Sequence, residues 1–309
     1  MGTCARCGGD AEVRLDYARL NLCSRCFISF YEEKVRETVG KYGMLKRGEK
    51  VAVAVSGGKD SASLLFALHK TFPDLSLTAL HLNLGIPEYS EECEEKFWKL
   101  VERVGVKGVV YDLREELGIT IPDLQEVHGR LCSPCGTIKR YLLNKLAWEG
   151  GFNKLATGHH LDDTAEVLFH LYLQGDSQQL VRLKPVSPST HPKLVTKVKP
   201  LWRMTEKENL LYALACDLPF RKKECPFAQG SRSLRRKKLM WKIEGEIRGF
   251  RRTLVSSHLK RFLPLLEKVV EPPPLLECSR CGMPASSDPC AFCRKVELAR
   301  KAGLKGVGK

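Results

Sequence analysis

The stretch Ser56-Gly57-Gly58-Lys59-Asp60-Ser61 follows a β-branched apolar run at residues 50–55 and precedes a helical pattern at residues 62–72. A strand that ends in small residues before a helix directs backbone N–H groups, at the positive end of the helix dipole, toward an anion. The lysine adds a positive charge, and the serines add hydroxyl groups. The stretch is not a Walker A loop, because Asp60 follows the lysine where that pattern requires Ser or Thr. We therefore predict a nucleotide-phosphate loop in which Mg²⁺ separates Asp60 from the phosphates.

Short apolar runs alternate with helical patterns along the next hundred residues. The predicted strands are residues 50–55, 76–82, 106–113 and 154–157, and the predicted helices are residues 61–69, 90–104 and 137–149. This alternation predicts an α/β fold in which helices cover both faces of a parallel twisted sheet and ligands bind beyond the carboxyl ends of the strands. Residues 183–200, rich in Pro, Ser and Thr, are predicted to form a loop, with a helix at residues 205–216.

The chain contains 13 cysteines, and eight of them form two quartets near the ends of the sequence. Each quartet has two Cys-x2-Cys pairs, the spacing typical of tetrahedral zinc sites; the members are Cys4, Cys7, Cys23 and Cys26, then Cys278, Cys281, Cys290 and Cys293. Four thiolates leave no open position for a substrate, so we predict two structural Zn²⁺ ions. Each ion would stabilise a segment too short to form its own core.

The charge is concentrated in one region. Net charge is +15, and residues 221–261 alone contain 14 Lys or Arg and three acidic residues. This concentration favours a polyanionic partner over a merely solvated helix face, and we predict that nucleic-acid phosphates contact the triplet Arg235, Arg236 and Lys237. Residues 271–274, Glu-Pro-Pro-Pro, end the basic helices near residue 269 because consecutive prolines cannot continue a helix.

These features predict four units. They are an N-terminal zinc knuckle at residues 1–30, a nucleotide-binding catalytic domain at 31–220, a basic helical region at 221–270 and a second zinc knuckle with a basic tail at 271–309. No stretch approaches the ~20 apolar residues of a membrane span, and residues 1–10 lack the apolar core of a signal peptide. We expect a cytoplasmic protein with no membrane partner; the sequence leaves its oligomeric state open, a homodimer included.

Cys132 and Cys135 form a third Cys-x2-Cys pair that has no second pair nearby. Cys225 is the best remaining partner, because Cys93 and Cys216 lie within helical patterns typical of small buried side chains. Three thiolates fit a [4Fe–4S] cluster with one open iron, but a transient disulfide between the paired cysteines and a third zinc site fit as well. The spacing leaves these three alternatives open.

Other polar residues are expected near this cysteine pair. Lys139 lies one helical turn beyond Cys135, so its side chain is predicted to reach the same pocket. Residues 157–163, Thr-Gly-His-His-Leu-Asp-Asp, place Asp162 and Asp163 at a strand end that opens a helix. These carboxylates fit Mg²⁺ binding or proton transfer, and they equally fit an ordinary acidic pair at a helix N-terminus.

These motifs together resemble the tRNA 2-thiouridine synthetases of the PP-loop ATP pyrophosphatase superfamily, over nearly the whole chain. The motifs, in order, are a cysteine quartet, SGGKDS, CSPCGTIKRY, TGHHLDDTAE, ECPFA and the tail CSRCGMPASSDPCAFCR. The last two are most similar to the branch that thiolates 5-methyluridine 54 in the T-loop of thermophile tRNA. The resemblance implies ATP in the PP-loop, a [4Fe–4S] cluster on Cys132, Cys135 and Cys225, and catalytic roles for Lys139 and Asp163. It further implies a ubiquitin-like sulfur-carrier protein with a C-terminal thiocarboxylate.

The expected reaction is adenylation of the C2 carbonyl of a uridine, followed by replacement of the oxygen with sulfur carried on the Fe–S cluster. The ATP-binding residues are expected to be Ala54, Ser56, Gly57, Gly58, Lys59, Asp60, Ser61, His81, Lys139 and Gly158. Two alternatives stay open: 2-thiolation of the anticodon wobble uridine 34, and a non-catalytic zinc-knuckle RNA-binding protein.

Overall fold

The computed structural model describes residues 2–125, 127–228 and 231–306. The outermost residues of the two predicted zinc units, 1 and 307–309, and the internal positions 126 and 229–230 lie outside the described residues. Within the described ranges, no helix combines the length and the apolar character needed to cross a membrane.

Ten strands and twelve α-helices make up the described chain. The strands are β1 (Val13–Leu15), β2 (Leu20–Leu22), β3 (Lys50–Ala54), β4 (Ser76–Asn83), β5 (Lys107–Asp112), β6 (Lys154–Ala156), β7 (Val186–Ser187), β8 (Thr196–Val198), β9 (Leu276–Glu277) and β10 (Pro284–Ala285). The helices are α1 (Ser24–Lys41), α2 (Lys59–Thr71), α3 (Tyr89–Val104), α4 (Leu113–Leu117), α5 (Cys132–Glu149), α6 (Leu161–Gln174), α7 (Ser177–Arg182), α8 (Glu206–Ala215), α9 (Arg232–Glu246), α10 (Phe250–Ser257), α11 (Leu263–Val269) and α12 (Ala291–Gly306).

A six-stranded sheet in the order β5-β4-β3-β6-β8-β7 forms the centre of the molecule. Its first five strands are parallel, as the alternation of apolar runs and helical patterns predicts, and β7 pairs antiparallel with β8. The central strand β3 is apolar because both of its faces are covered, and its side chains Val51, Ala52 and Val53 are fully buried. The predicted α/β fold is confirmed, and the carboxyl ends of β3, β4 and β6 lie at one edge of the sheet.

The prediction of a loop at residues 183–200 is wrong. This segment contains β7 and β8, which form an antiparallel pair, and β8 extends the sheet by pairing in parallel with β6 through Leu155 and Lys197. The two strands are only two and three residues long, and Val198 alone of their five residues is buried. Such short strands carry no periodic signal of their own, so the neighbouring β6 determines their conformation.

The N-terminal cysteine quartet packs against the main domain. Helix α1 supplies Cys26 and continues to Lys41, and its buried Tyr31 stacks on Tyr212 of α8 with the ring centroids 4.0 Å apart. Side chains of β1 and β2 belong to the same buried cluster as those of β3 and α2. The N-terminal module therefore shares the principal hydrophobic core.

The C-terminal quartet packs on α5. Phe292 of α12 stacks almost flat on Tyr141 of α5, with centroids 3.7 Å apart and an interplanar angle of 5°. Lys193, from the turn between β7 and β8, donates to Glu277 at 2.8 Å and to the carbonyl of Gly282 at 2.7 Å. The second module therefore rests against the helix that begins with Cys132.

The basic region forms the helices that its sequence predicts, ending at Val269. A π-helical turn, His258–Phe262, joins α10 to α11. Helix α10 packs on α6, and Val255 belongs to a buried cluster with Leu168 and Trp202. This packing brings α9, with six of the 14 basic residues of the segment 221–261, alongside the N-terminal half of α6.

Candidate active site

The PP-loop connects β3 to α2 in a tight turn that its glycines require. The backbone N–H of Ser56 donates to Oγ of Ser61 at 3.0 Å, and that hydroxyl donates to the carbonyl of Gly58 at 3.0 Å. Gly57 has φ of +79°, and a Cβ added there would lie 2.7 Å from Cα of Cys93 on α3. The serine and glycine positions therefore hold the loop closed, with the first N–H groups of α2 available for an anion.

Gly158 provides a second close approach. A Cβ added at Gly158 would lie 3.2 Å from the carbonyl carbon of Asp60 and 3.3 Å from N of Ser61. The strand end that follows β6 thus lies directly against the start of α2. This contact brings the segment at residues 157–163 to the PP-loop, as the shared sheet edge predicts.

Two carboxylates converge on one buried imidazole. Nε2 of His160, which is 1% exposed, lies 3.6 Å from Oδ1 of Asp60 and 3.3 Å from Oδ2 of Asp163. Asn209 of α8 donates to Oδ1 of Asp60 at 2.9 Å and accepts from the hydroxyl of Tyr31 at 2.8 Å. Asp60 is therefore held from two sides, and both carboxylates face one region beside the PP-loop.

Two lysines contact the carboxylates beside the PP-loop, including that of Glu206, and balance their charge. Nζ of Lys237 lies 2.6 Å from Oδ1 of Asp163, and Nζ of Lys59 lies 2.9 Å from Oε1 of Glu206. Burial by itself raises the pKa of Asp163, but the charges of His160 and Lys237 outweigh it and lower that pKa to about 2. Asp163 is therefore ionised at neutral pH, as a ligand for a hard cation or an acceptor of hydrogen bonds must be.

Asp162 has a different role from its neighbour, although the sequence does not distinguish them. Its side chain is 2% exposed and accepts from the backbone N–H of Glu206 at 2.8 Å and from the indole of Trp241 at 3.1 Å. It also forms an ion pair with Arg251. Asp162 thus fastens α8, α9 and α10 to α6, and Asp163 alone of the two faces the PP-loop carboxylate.

A cavity adjoins the PP-loop at the ends of β3 and β4. Its lining includes Ala54, Ser56, His81, Tyr89, Cys93 and Lys139. Nδ1 of His81 lies 2.8 Å from the carbonyl of Val55, and burial holds the pKa of this imidazole below its ordinary value. His81 is thus a buried, neutral wall residue, whereas Lys139 brings a charged group from α5 into the same cavity.

Cys132 and Cys135 lie at the start of α5, and Cys225 of the Glu-Cys-Pro turn lies close to them. Sγ of Cys132 is 3.5 Å from the carbonyl of Phe227, in the 3₁₀ turn Pro226–Ala228 that follows Cys225. Burial raises the pKa of Cys135, the charge of Lys139 lowers it, and the nearby Cys225 and Cys132 raise it further. Cys135 and Cys225 pack against the same apolar cluster. Helix α5 starts at Cys132, five residues before the predicted start at residue 137.

Arg221 links the PP-loop to the turn that carries Cys225. Its backbone N–H donates to the carbonyl of Gly57 at 2.8 Å, and its side chain donates to the carbonyl of Glu224 at 3.1 Å. The guanidinium lies 4.4 Å from the ring centroid of Tyr89 and 2.8 Å from Glu92. No sequence motif marks this residue, because its partners come from three separate segments.

The terminal quartets have the dimensions of zinc sites. A tetrahedral ion with Zn–S bonds of about 2.3 Å separates its sulfurs by about 3.8 Å. The Sγ atoms lie 3.7 Å apart in Cys7 and Cys23, 3.7 Å apart in Cys281 and Cys290, and 3.9 Å apart in Cys278 and Cys293. In the described parts of the chain, these two quartets are the groups whose ligand atoms all lie within 4.8 Å of one another.

The predicted basic triplet divides between two faces of α9. Arg235 is exposed, but Nε of Arg236 lies 2.5 Å from the buried Glu166 and Lys237 is paired with Asp163. Consecutive helical residues are about 100° apart, so three of them do not share one face. Arg235 stays a predicted phosphate contact, whereas the side chains of the other two are engaged with α6.

This fold and site define the class of PP-loop nucleotide-binding proteins. The PP-loop domain model matches residues 29–240, and a model described as the N-terminal LIM domain of the 2-thiouridine synthetase TtuA matches residues 3–28. The chain belongs to the PP-loop family and, within it, to the family of the tRNA-5-methyluridine(54) 2-sulfurtransferases. It is 36% identical over 302 residues to such a protein of Pyrococcus horikoshii, covering 98% of this chain and 96% of that protein.

A second relative and a solved structure are also similar to this chain over nearly its full length. Identity to a tRNA-5-methyluridine(54) 2-sulfurtransferase of Thermus thermophilus is 38% over 303 residues, or 98% of this chain and 93% of that one. A solved structure, the U34-tRNA thiolase NcsA from Methanococcus maripaludis with its [4Fe–4S] cluster, superposes with a TM-score of 0.82 at 30% identity. That match covers 96% of both chains.

Proposed function

We propose that this chain is an ATP-dependent tRNA sulfurtransferase that converts the C2 carbonyl of 5-methyluridine 54 to a thiocarbonyl. The observation that most directly supports this function is the position of Lys139, which lines the cavity beside the PP-loop and lies one helical turn from Cys135 on α5. ATP and the three cysteines therefore share one site. Relatives named for position 54 are 36–38% identical to this chain, whereas relatives named for tRNA 2-thiolation without that position are 29–30% identical.

The reaction needs a leaving group on the uridine. The C2 oxygen attacks the α-phosphorus of ATP, pyrophosphate departs, and sulfur then displaces AMP from C2. The N-terminus of α2 and Lys59 hold the departing pyrophosphate, because both place positive charge where negative charge develops. Lys139 enters the same cavity and stabilises negative charge on the adenylated base.

Asp60 and Asp163 would hold Mg²⁺. Both carboxylates lie within 3.6 Å of His160, so they face one region, and carboxylate oxygens are the ligands that this ion prefers. Lys237 and Lys59 contact this acidic group and balance its charge. Asn209 keeps Asp60 oriented by its hydrogen bond, which makes it a positioning residue.

Cys132, Cys135 and Cys225 would hold a [4Fe–4S] cluster. Among the described residues, the ligand atoms of each zinc quartet all lie within 4.8 Å of one another, but the sulfur atoms of these three cysteines do not. A cluster spans a wider set of thiolates than a single ion does. When bound through three cysteines, the cluster leaves one iron free to carry the sulfur. The exposed Cys132 opens this site to the surface, where a ubiquitin-like carrier with a C-terminal thiocarboxylate would deliver sulfur.

The test is anaerobic reaction of the iron- and zinc-loaded protein with ATP, a sulfide source and unmodified or 5-methylated tRNA, with pyrophosphate and thionucleosides measured. We expect tRNA-dependent pyrophosphate release and 2-thiolation at position 54. Lys139→Ala should abolish thiolation, and Lys145→Ala, on the same helix beside Glu149, should not. Thiolation at wobble uridine 34 would contradict the assigned position. Tight tRNA binding without pyrophosphate release would indicate a non-catalytic RNA-binding protein.

A further inference from the structure

A second cavity lies at the start of α6, where Leu161 lines it. Its volume is about 500 Å³, within the range of about 300–1,000 Å³ that is typical of ligand pockets. The N-terminal hairpin forms one wall through Arg14 and Tyr17, and the end of α9 and the start of α10 form the other through Trp241 and Arg248. We call it the hairpin cleft. None of its residues belongs to the nucleotide cavity or the cysteine site.

The walls of the hairpin cleft are basic. Arg14, Lys207, Arg248, Arg251 and Arg252 line it together with two acids, Asp16 and Glu244. Arg251 and Arg252 are directed inward, to Asp162 and Glu208 respectively, and Arg252 also covers the ring of Tyr17 at 3.7 Å. Arg248 is exposed and has no ion pair within the described parts of the chain. Arg14 and Lys207 share one acid, Asp16, at 3.0 Å and 3.6 Å, so these three residues keep a net positive charge. Together with Arg248, they leave positive charge for an anionic ligand.

Trp241 is an aromatic surface held in a fixed position. The residue is 46% exposed, yet its Nε1 donates to the buried Asp162 at 3.1 Å. The residue one turn further along α9 is Gly245, where an added Cβ would meet nothing within 4 Å. Gly245 is the second-last residue of α9, and it has no side chain that could cover the indole. The indole therefore presents an uncovered, oriented ring to the cleft.

The position of the cleft relates it to the carboxylates of the active site. Lys237 and Trp241 are four residues apart on α9, so they lie on one face of the helix about 6 Å apart along its axis. Lys237 contacts Asp163, and Trp241 contacts the adjacent Asp162. A ligand in the hairpin cleft thus lies about one helical turn from the region where the two carboxylates converge.

We propose that the hairpin cleft binds an unpaired nucleotide of the substrate RNA near the target uridine. Its base stacks on Trp241, and its phosphate lies against Arg248 and Arg14. An aromatic face beside a positively charged groove is the usual combination for unpaired RNA bases. This proposal rests on the proposed function, because it assumes that tRNA is the substrate.

The experiment measures the dissociation constant of an unmodified tRNA transcript at several salt concentrations, together with tryptophan fluorescence. The proteins are the zinc-loaded full chain and its Trp241→Leu, Trp241→Phe and Arg248→Glu variants. We expect Trp241→Leu to weaken tRNA binding about 5- to 150-fold, the equivalent of about 1–3 kcal/mol for one stacked base. Trp241→Phe should lose less, because phenylalanine keeps an aromatic face. Arg248→Glu should reduce the salt slope by about one.

Trp98 provides the matched control. It is 45% exposed, close to the 46% of Trp241, but it lies on α3 against Phe97. We expect tRNA to quench the fluorescence of wild-type protein and of Trp98→Phe, and to quench Trp241→Phe much less. The affinity for ATP and the melting temperature verify that each variant is folded.

Three outcomes separate the possibilities. If wild-type protein thiolates tRNA and Trp241→Leu does so with unchanged tRNA affinity and unchanged quenching, the hairpin cleft is not an RNA site. If the substitutions weaken binding of a thiocarboxylate carrier protein and leave tRNA binding intact, the cleft is a protein-docking site and the proposal is overturned. If wild-type protein neither binds nor thiolates tRNA, the proposed function itself fails.

Discussion

Replacing Gly57 by Ala tests whether the PP-loop depends on its contact with α3. Gly57 has φ of +79°, and an added Cβ would lie 2.7 Å from Cα and 2.8 Å from the carbonyl oxygen of Cys93. Gly48 is a matched control with φ of +77°, but an added Cβ there meets nothing within 4 Å. Both substitutions therefore place alanine in the left-handed region, and only the first also creates a clash.

The expected magnitudes follow from this geometry. A non-glycine residue in the left-handed region costs about 1–2 kcal/mol, which applies to both variants. The clash with backbone atoms adds about 1–3 kcal/mol at Gly57, since an overpacked contact is relieved only by moving the main chain. To reach an ordinary carbon contact of about 3.5 Å, the loop and α3 must separate by roughly 0.8 Å. Cys93 lines the nucleotide cavity, so this movement also displaces its wall.

Urea denaturation and calorimetric titration with ATP measure the two consequences. We expect Gly48→Ala to lower the free energy of unfolding by about 1–2 kcal/mol and to leave the affinity for ATP unchanged. Gly57→Ala should lose about 2–5 kcal/mol and most of its ATP affinity. Equal losses of stability in the two variants, with equal ATP affinities, would refute the argument that close packing against α3 shapes the loop.

Three further predictions concern other parts of the site. Cys281→Ser should lower the zinc content from two ions to one per chain by elemental analysis while ATP affinity stays unchanged; unaltered zinc content would remove the second zinc site. Arg221→Lys keeps the positive charge beside Glu92 but loses the planar guanidinium that also reaches the carbonyl of Glu224. We expect weaker ATP binding together with lower iron content and lower visible absorption after anaerobic reconstitution. If only one of these properties changed, Arg221 would not couple the PP-loop to the turn that carries Cys225. The pKa of Asp163 is lowered to about 2 in the folded protein, so the stability that its ionised form contributes is present above pH 3.8 and is lost as the pH falls toward 2. Asp163→Asn should remove about 2 kcal/mol of this pH-dependent stability. The measurement compares the free energies of unfolding of the wild-type and variant proteins across that pH range.

Sequence alone determined the features that depend on local spacing. The PP-loop, the four predicted parallel strands and the two cysteine quartets are each specified within a few tens of residues. The bounds of these strands differ from the predictions by one or a few residues. A strand buried on both faces must be apolar, and a metal knuckle must place its thiolates at turn spacing. Such requirements are visible in the chain before it folds.

Tertiary structure decided which residues meet. Phe227 approaches Cys132 across 95 positions, and Asn209 reaches Asp60 across 149. Strands β7 and β8 exist because β6 offers an edge, and their own residues carry too little pattern to predict them.

The two adjacent aspartates show the same limit most clearly. Asp162 and Asp163 are equivalent in the sequence, yet one anchors three helices and the other faces the PP-loop. Successive residues of a helix point about 100° apart, so the packing of α8, α9 and α10 around α6 assigns their roles. The direction of a side chain in a helix is local, but what it meets depends on elements distant in sequence.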